Sequence, residues 1–316
     1  MSNTIYLITG GAGNIGSALA QKLASDSKNH LVIIDNLLTG SIIKIPKGDN
    51  ITFIKANVNN YNDVAAVFGR FNFDYVFHFA AVVGVKRTLE NPMKVLDDIE
   101  GIKNILSLSK NTCVKRIYYS SSSEVYGEPF EIPQNEHTTP LNSKLPYAIV
   151  KNVSEAYLRS YQQEYNLDYT IFRFFNTYGP NQSEDFVIPK FIDLAIKNQN
   201  ITIYGNGLQT RTFCYIDDNI DAILNIHFKA LVKNDIINIG NDKEITILEL
   251  AKLIIKKTNS LSNIVYKKPL KEGDMMRRCP DITKMKVILK RELLTVEEGV
   301  KKSVKFYMTK KNEDRC

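Results

Sequence analysis

The sequence predicts an α/β fold: a doubly wound parallel sheet in the first part of the chain, followed by a smaller C-terminal α/β lobe. Three observations predict it. Short runs that are almost continuously apolar alternate with helix-length segments, as parallel strands covered on both faces require. A glycine-rich turn joins the first such run to the first helical segment. Near residue 180 the alternation gives way to mainly helical sequence punctuated by Pro180, Pro189, Pro269 and Pro280.

The elements follow in order. TIYLIT (4–9), HLVIID (30–35), ITFIKA (51–56), DYVFHFA (74–80), KRIYYS (115–120) and DYTIFRFF (168–175) are predicted strands. The predicted helices between them are 14–25, 95–110 and 147–165. Strand-helix repetition implies right-handed βαβ crossovers. Beyond it, helices are predicted over 186–197, 218–232, 246–258 and 296–308, with short extended pieces at ITIYG, TRTFCYI and IINIG. The expected organisation is a cofactor domain over 1–180 and a substrate lobe over 181–316, with segments crossing back to the first domain.

Composition excludes several classes. Of 316 residues, 44% are apolar and 24% charged, which suits a globular chain with a sizeable core. The net charge of +7 comes from scattered lysines without an arginine-rich block, so no nucleic-acid partner is expected. The same bias suits a phosphorylated or carboxylated small substrate. Cys113, Cys214, Cys279 and Cys316 are far apart with no C-x-x-C spacing, which points away from zinc and disulfides and towards free thiols. No signal peptide is read, and no run nears the roughly 20 apolar residues of a membrane span. The expectation is a cytoplasmic protein with no membrane partner.

ITGGAGNIGSAL places Gly10, Gly13 and Gly16 between a strand and a helix. Such a turn allows a pyrophosphate to approach the backbone and rest on the positive helix N-terminus. Asp35, 19 residues after Gly16, ends the second strand, where a carboxylate accepts ribose hydroxyls and repels a 2′-phosphate. Asn36 and the residues after it supply no arginine for that phosphate, so the predicted cofactor is NAD. Tyr147 and Lys151, four apart on a predicted helix, project from one face. A nearby ammonium and the positive nicotinamide ring are both expected to lower the tyrosine from its ordinary pKa near 10, letting Tyr147 act as a base.

The G-x-x-G-x-x-G spacing, HFAA (78–81), the serine run before Glu124, Tyr147-x-x-x-Lys151 and RFFNTYGP (173–180) together resemble extended short-chain dehydrogenase/reductases. More narrowly they resemble NAD-dependent nucleotide-sugar epimerases, dehydratases and decarboxylases, over essentially the whole chain. The resemblance implies a Rossmann domain with cofactor contacts at Asn14, Ile15, Asn36, Asn57, Val58, Phe79, Ala80 and Ala81, besides the glycines, Asp35, Tyr147 and Lys151. It makes Ser122 the hydroxyl beside Tyr147, and Ser123 and Glu124 the pair that varies with the reaction. Asn176, Arg211 and Arg278 become substrate ligands, and a homodimer through the helices at 95–110 and 147–165 is expected.

Dehydratases of the dTDP-glucose type carry Asp-Glu where this chain has Ser123-Glu124, and simple 4-epimerases usually lack the glutamate. The pair followed by VYGEP looks most like UDP-glucuronate decarboxylases, with GDP-mannose 4,6-dehydratases near. The leading expectation is therefore UDP-glucuronate decarboxylation, and the alternative is a 4-epimerase or 4,6-dehydratase acting on a UDP-, GDP- or dTDP-hexose. A non-catalytic NAD-binding regulator is a distant third, disfavoured by the intact Tyr147 and Lys151. Three positions depart from the pattern: Asn57 for an aspartate, Asp98 for an asparagine, and Asn181 for an arginine.

Overall fold

A computed structural model describes residues 3–269 and 277–313. The chain runs β1 (Thr4–Thr9), α1 (Asn14–Leu23), β2 (Asn29–Asp35), β3 (Ile51–Lys55), α2 (Tyr61–Arg70), β4 (Tyr75–His78), α3 (Val85–Glu90), α4 (Pro92–Leu96), α5 (Asp98–Asn111), β5 (Arg116–Ser122), α6 (Pro146–Tyr165) and β6 (Tyr169–Phe174). It continues through β7 (Thr177–Tyr178), α7 (Val187–Ile196), β8 (Ile201–Tyr204), β9 (Thr210–Thr212), β10 (Cys214–Tyr215), α8 (Ile216–Phe228) and β11 (Asp235–Ile239). The last elements are β12 (Glu244–Thr246), α9 (Ile247–Thr258), β13 (Ile264–Lys267), α10 (Thr283–Leu289) and α11 (Val296–Glu313).

Seven strands form one sheet in the order β11-β6-β5-β4-β1-β2-β3. Strands β1 to β6 pair in parallel, which is the doubly wound arrangement expected. The order reverses between β1 and β4, and ligands of such sheets bind outside the carboxyl ends of the strands at that reversal. The glycine turn after β1 and the segment 79–84 after β4 therefore lie together.

Alternation along the strands divides the two faces. One face presents Leu7, Val32, Ile34, Val76, Ile117, Tyr119 and Ile171 to Val64, Val67 and Phe68 of α2, Ile102, Ile105 and Leu106 of α5, and Leu158 of α6. Each fully buried Leu or Ile there stabilises the fold by about 1.5–3 kcal/mol. The opposite face is aromatic: the Tyr118 ring stacks 4.4 Å from Phe77 and 6.0 Å from Phe172. His227 hydrogen-bonds the hydroxyls of Tyr6 and Tyr118 at 3.0 and 2.9 Å.

The chain divides into two compact units, one formed by Met1–Gly127, Leu141–Phe174 and Leu224–Ile237, the other by Glu128–Pro140, Phe175–Ile223 and Asn238–Cys316. The predicted helix 95–110 is in fact two helices meeting at Asp97, where the Glu100 N–H bonds the Asp97 carbonyl three residues back at 3.0 Å. Pro92 starts the first of them, a position that needs no N–H. No described helix is long and apolar enough to cross a membrane.

Candidate active site

The glycine turn is shaped by close approach. Gly10 has φ +67°, and a Cβ there would sit 2.6 Å from the Ala80 nitrogen. A Cβ on Gly16 would sit 2.5 Å from the Gly10 carbonyl oxygen. Helix α1 starts at Gly13 with no side-chain cap and no acidic residue in its first turn. Its N-terminal amides, at Asn14 and Ile15, thus face no competing carboxylate from their own turn. Asp35 is 8% exposed; it accepts from the Ala12 and Leu37 amides at 3.0 and 2.8 Å and keeps lone pairs for further donors. Asn36 caps its own loop by accepting from the Leu38 amide at 2.9 Å.

Two further loops follow the carboxyl ends of β3 and β4. Asn57 donates its amide to Asp63 at 2.9 Å and accepts from the Asn59 amide at 3.2 Å, while the Val58 carbonyl accepts from Asn104 at 2.9 Å. The amides of Phe79 and Ala80 both donate to the Thr9 hydroxyl at 3.1 Å, and that hydroxyl meets His78 Nδ1 at 2.8 Å. Burial and the Lys151 charge push His78 down to about 3, so it stays neutral. Beyond Ala81, the Val82 amide donates to Asp98 at 2.7 Å, and the other Asp98 oxygen accepts from Asn59 at 3.1 Å. An open helix N-terminus, glycines that a Cβ would choke and a carboxylate at the end of β2 fit a dinucleotide with an unphosphorylated ribose.

The serines at the end of β5 have four different tasks. The Ser120 hydroxyl turns to the His78 carbonyl at 3.4 Å, and Ser121 donates to Glu155 at 2.6 Å. The Ser122 hydroxyl accepts from the Glu124 amide at 3.2 Å and lies close enough to the Tyr147 phenol to favour its ionised form. Ser123, 3% exposed, opens the 3-10 turn Ser123–Tyr126. Glu124 sits in that turn, close enough for its charge to act on Tyr147.

Burial dominates the protonation of this group. The Tyr147 phenol is held above its ordinary value, first by burial and then by the Glu124 charge, against the influence of the Ser122 hydroxyl, which favours phenolate. The Lys151 ammonium donates to the Ser120 carbonyl at 2.6 Å and stands 5.7 Å from the Tyr147 ring. Burial drops Lys151 itself from 10.5 to about 8, opposed by the charges of Asp98 and Glu155. Burial also raises Asp98.

In the other unit, Asn176 donates to the Thr212 carbonyl at 3.0 Å, and Arg211 lies in β9 with its guanidinium on the Thr210 carbonyl at 2.7 Å. Of the segment 272–282, residues 272–276 lie outside the described residues. Arg277 is taken by Glu244 in an exposed two-bond pair at 2.8 and 2.5 Å, whereas Arg278 is 5% exposed. Asn181 has φ +65°, a conformation that asparagine tolerates better than arginine. Among the described residues, no group of three or more His, Cys, Asp or Glu is placed to hold a metal ion.

Several contributors were not singled out as site residues by sequence reasoning. Thr9, Glu155 and Arg173 read as ordinary strand and helix residues, and only the fold brings them under the site. Asp98 did carry a signal, as a carboxylate where the resembled family has an amide.

Comparison with known proteins agrees with this architecture. Residues 6–240 match the model of the NAD dependent epimerase/dehydratase family. A putative UDP-glucose 4-epimerase of Methanocaldococcus jannaschii is 35% identical over 98% of this chain and 100% of its own. A UDP-N-acetyl-alpha-D-glucosaminuronate decarboxylase of Bacillus cytotoxicus is 34% identical over 97% of this chain and 98% of its own. The crystal structure of Thermus thermophilus UDP-glucose 4-epimerase in complex with NAD superposes with a TM-score of 0.90 at 27% identity, covering 96% of this chain and 99% of that one. The chain belongs to the NAD-dependent epimerase/dehydratase family and is an NAD-dependent enzyme.

Proposed function

We propose that this enzyme modifies a nucleotide sugar by transient oxidation at C4, and that its reaction is the decarboxylation of a UDP-uronate, UDP-glucuronate first. The observation that carries this reading is the cluster at the end of β5: Ser122 accepting from the Glu124 amide, and buried Lys151 with its ammonium on the Ser120 carbonyl and 5.7 Å from the Tyr147 ring. NAD, when bound, would accept the hydride from C4 and give it back at the end of the reaction, and it brings a positive charge. The glycine turn, Asp35 and the loops at Asn57–Val58 and Phe79–Ala81 would hold it.

The chain's own groups handle the protons. With the positive charges of Lys151 and the bound cofactor favouring its phenolate, Tyr147 takes the proton of the C4 hydroxyl, and Ser122 orients that hydroxyl. Lys151 steadies the carbonyl end of β5 through Ser120. A keto group at C4 turns a C5 carboxylate into a β-keto acid, which releases CO2 because the carbanion left behind is delocalised as an enolate. Glu124 is the group proposed to deliver to C5 the proton that replaces CO2, drawn ultimately from water. Tyr147 then returns its proton as the C4 hydroxyl is restored. Asn176, Arg211 and Arg278 are the proposed ligands of the nucleotide diphosphate and sugar, where planar guanidinium forks suit phosphate and carboxylate.

The Ser123-Glu124 pair and the 34% identical uronate decarboxylase support decarboxylation. A second reading, 4-epimerisation of a neutral hexose, draws support from the 35% identical relative named as a putative 4-epimerase. The protein incubated with UDP-glucuronate, UDP-N-acetylglucosaminuronate, UDP-glucose, GDP-mannose and dTDP-glucose, with no added reductant, tests this by NMR. CO2 release from a uronate is the expected outcome. Turnover of a neutral hexose alone would move the assignment to the second reading.

A further inference from the structure

Beneath the proposed catalytic segment lies a buried ion pair that the reaction itself does not use. Arg173 on β6 and Glu155 on α6 are 2% and 0% exposed. The guanidinium meets the carboxylate through Nε at 2.9 Å and Nη2 at 2.7 Å. Such a pair is a poor device for stability, because desolvating both charges cancels most of their attraction. Its partners suggest another role.

Ser121, opposite Arg173 in the β5–β6 register, donates to Glu155 Oε1 at 2.6 Å. Arg173 Nη1 donates to the Tyr126 hydroxyl at 3.0 Å, and the guanidinium lies 4.9 Å from the centre of the Tyr126 ring. Ser121 and Tyr126 flank Ser122, Ser123 and Glu124. The ion pair thus grips both ends of the short segment that carries the hydroxyl and the carboxylate. Between the grips the backbone turns in a 3-10 helix closed by Gly127 at φ +65°. Glu155 also follows Tyr147 and Lys151 at four-residue steps on α6, so the anchor belongs to the helix that carries the phenol.

We propose that Ser121 and Tyr126 are positioning residues, which act through the Glu155–Arg173 pair to hold Ser122 and Glu124 in register with Tyr147. The proposal rests on the reading of Ser122, Glu124 and Tyr147 given above. Both grips are single hydroxyls that can be removed with the ion pair left in place, and misplacement of reacting groups by about 1 Å costs on the order of a hundredfold in rate.

The test uses Ser121→Ala, Ser121→Thr and Tyr126→Phe in the NAD-loaded protein. Each is assayed on whichever of UDP-glucuronate, UDP-glucose and dTDP-glucose the wild type turns over, beside Glu124→Gln and Tyr147→Phe as controls. The expected result is a kcat lowered roughly ten- to a hundredfold in Ser121→Ala and Tyr126→Phe, with KM and NAD content within about twofold of wild type. Ser121→Thr, which keeps the hydroxyl, should retain most of the activity. Variants with lowered thermal stability but wild-type kcat would show the grips to be structural only and overturn the proposal. Loss of activity in Ser121→Thr equal to that in Ser121→Ala would overturn it too, since the hydroxyl would then not be the cause. If Glu124→Gln and Tyr147→Phe themselves keep full kcat, the functional reading fails instead.

Discussion

Tyr147 shows how a single side chain is set by its surroundings. Its phenol is pushed up by burial and by Glu124, while Ser122 pulls the other way. Tyr147→Phe keeps the ring and its packing and deletes only the hydroxyl proposed to carry the proton. Turnover should fall by about 10²–10⁴, with NAD still retained in the purified protein, as spectroscopy of the released cofactor would show. Lys151 makes a prediction of opposite character. Its value in the fold, about 8, lies below the ordinary 10.5, so the folded protein binds fewer protons than the unfolded chain between those limits. Stability from this group therefore rises with pH through that window, and the cost of burying the ammonium is fully present below it. Lys151→Met should gain on wild type at pH 7 and lose that advantage above about pH 10.5, read from urea midpoints of the two NAD-free proteins. A difference independent of pH would contradict the burial argument.

At the scale of elements, the join between β1 and α1 was legible because its requirements are local. Gly10 must take positive φ, and a side chain there would strike the backbone at Ala80. Gly10→Ala should abolish NAD retention while leaving most of the secondary structure, as cofactor content and far-UV circular dichroism would report. The predicted strands and most helices sit within a few residues of their observed bounds, because apolar periodicity records which face a segment buries. The break between α4 and α5 was not legible. It falls beside Asp98, whose carboxylate is drawn to the Val82 amide and to Asn59, partners that are distant in sequence. The serine run illustrates the same limit. Its position at the end of an inner strand could be read, but Ser121's bond to Glu155 depends on how α6 packs beside β5.

The whole molecule combines a sheet whose order reverses between β1 and β4 with a second unit that carries Asn176, Arg211 and Arg278. The resemblance also implies a homodimer built on the long helices, and exposed apolar side chains near them, Met93 at 70% and Ile149 at 41%, suit such a contact. Ile149→Asp should convert a sedimenting dimer to monomer, whereas a wild type that sediments as a monomer would dismiss the expectation. What the sequence by itself determined is the doubly wound sheet, the glycine turn between β1 and α1, and the spacing of Tyr147 and Lys151 on one helix face, since each rests on spacing within one element or across one turn. What only the tertiary structure decided is the division of labour among the serines, the Glu155–Arg173 anchor and the direction in which Tyr147 and Lys151 shift. Those depend on burial and on charges brought together from β6, α5, α6 and the turn after β5, and such proximity is a property of packing, which no local pattern records.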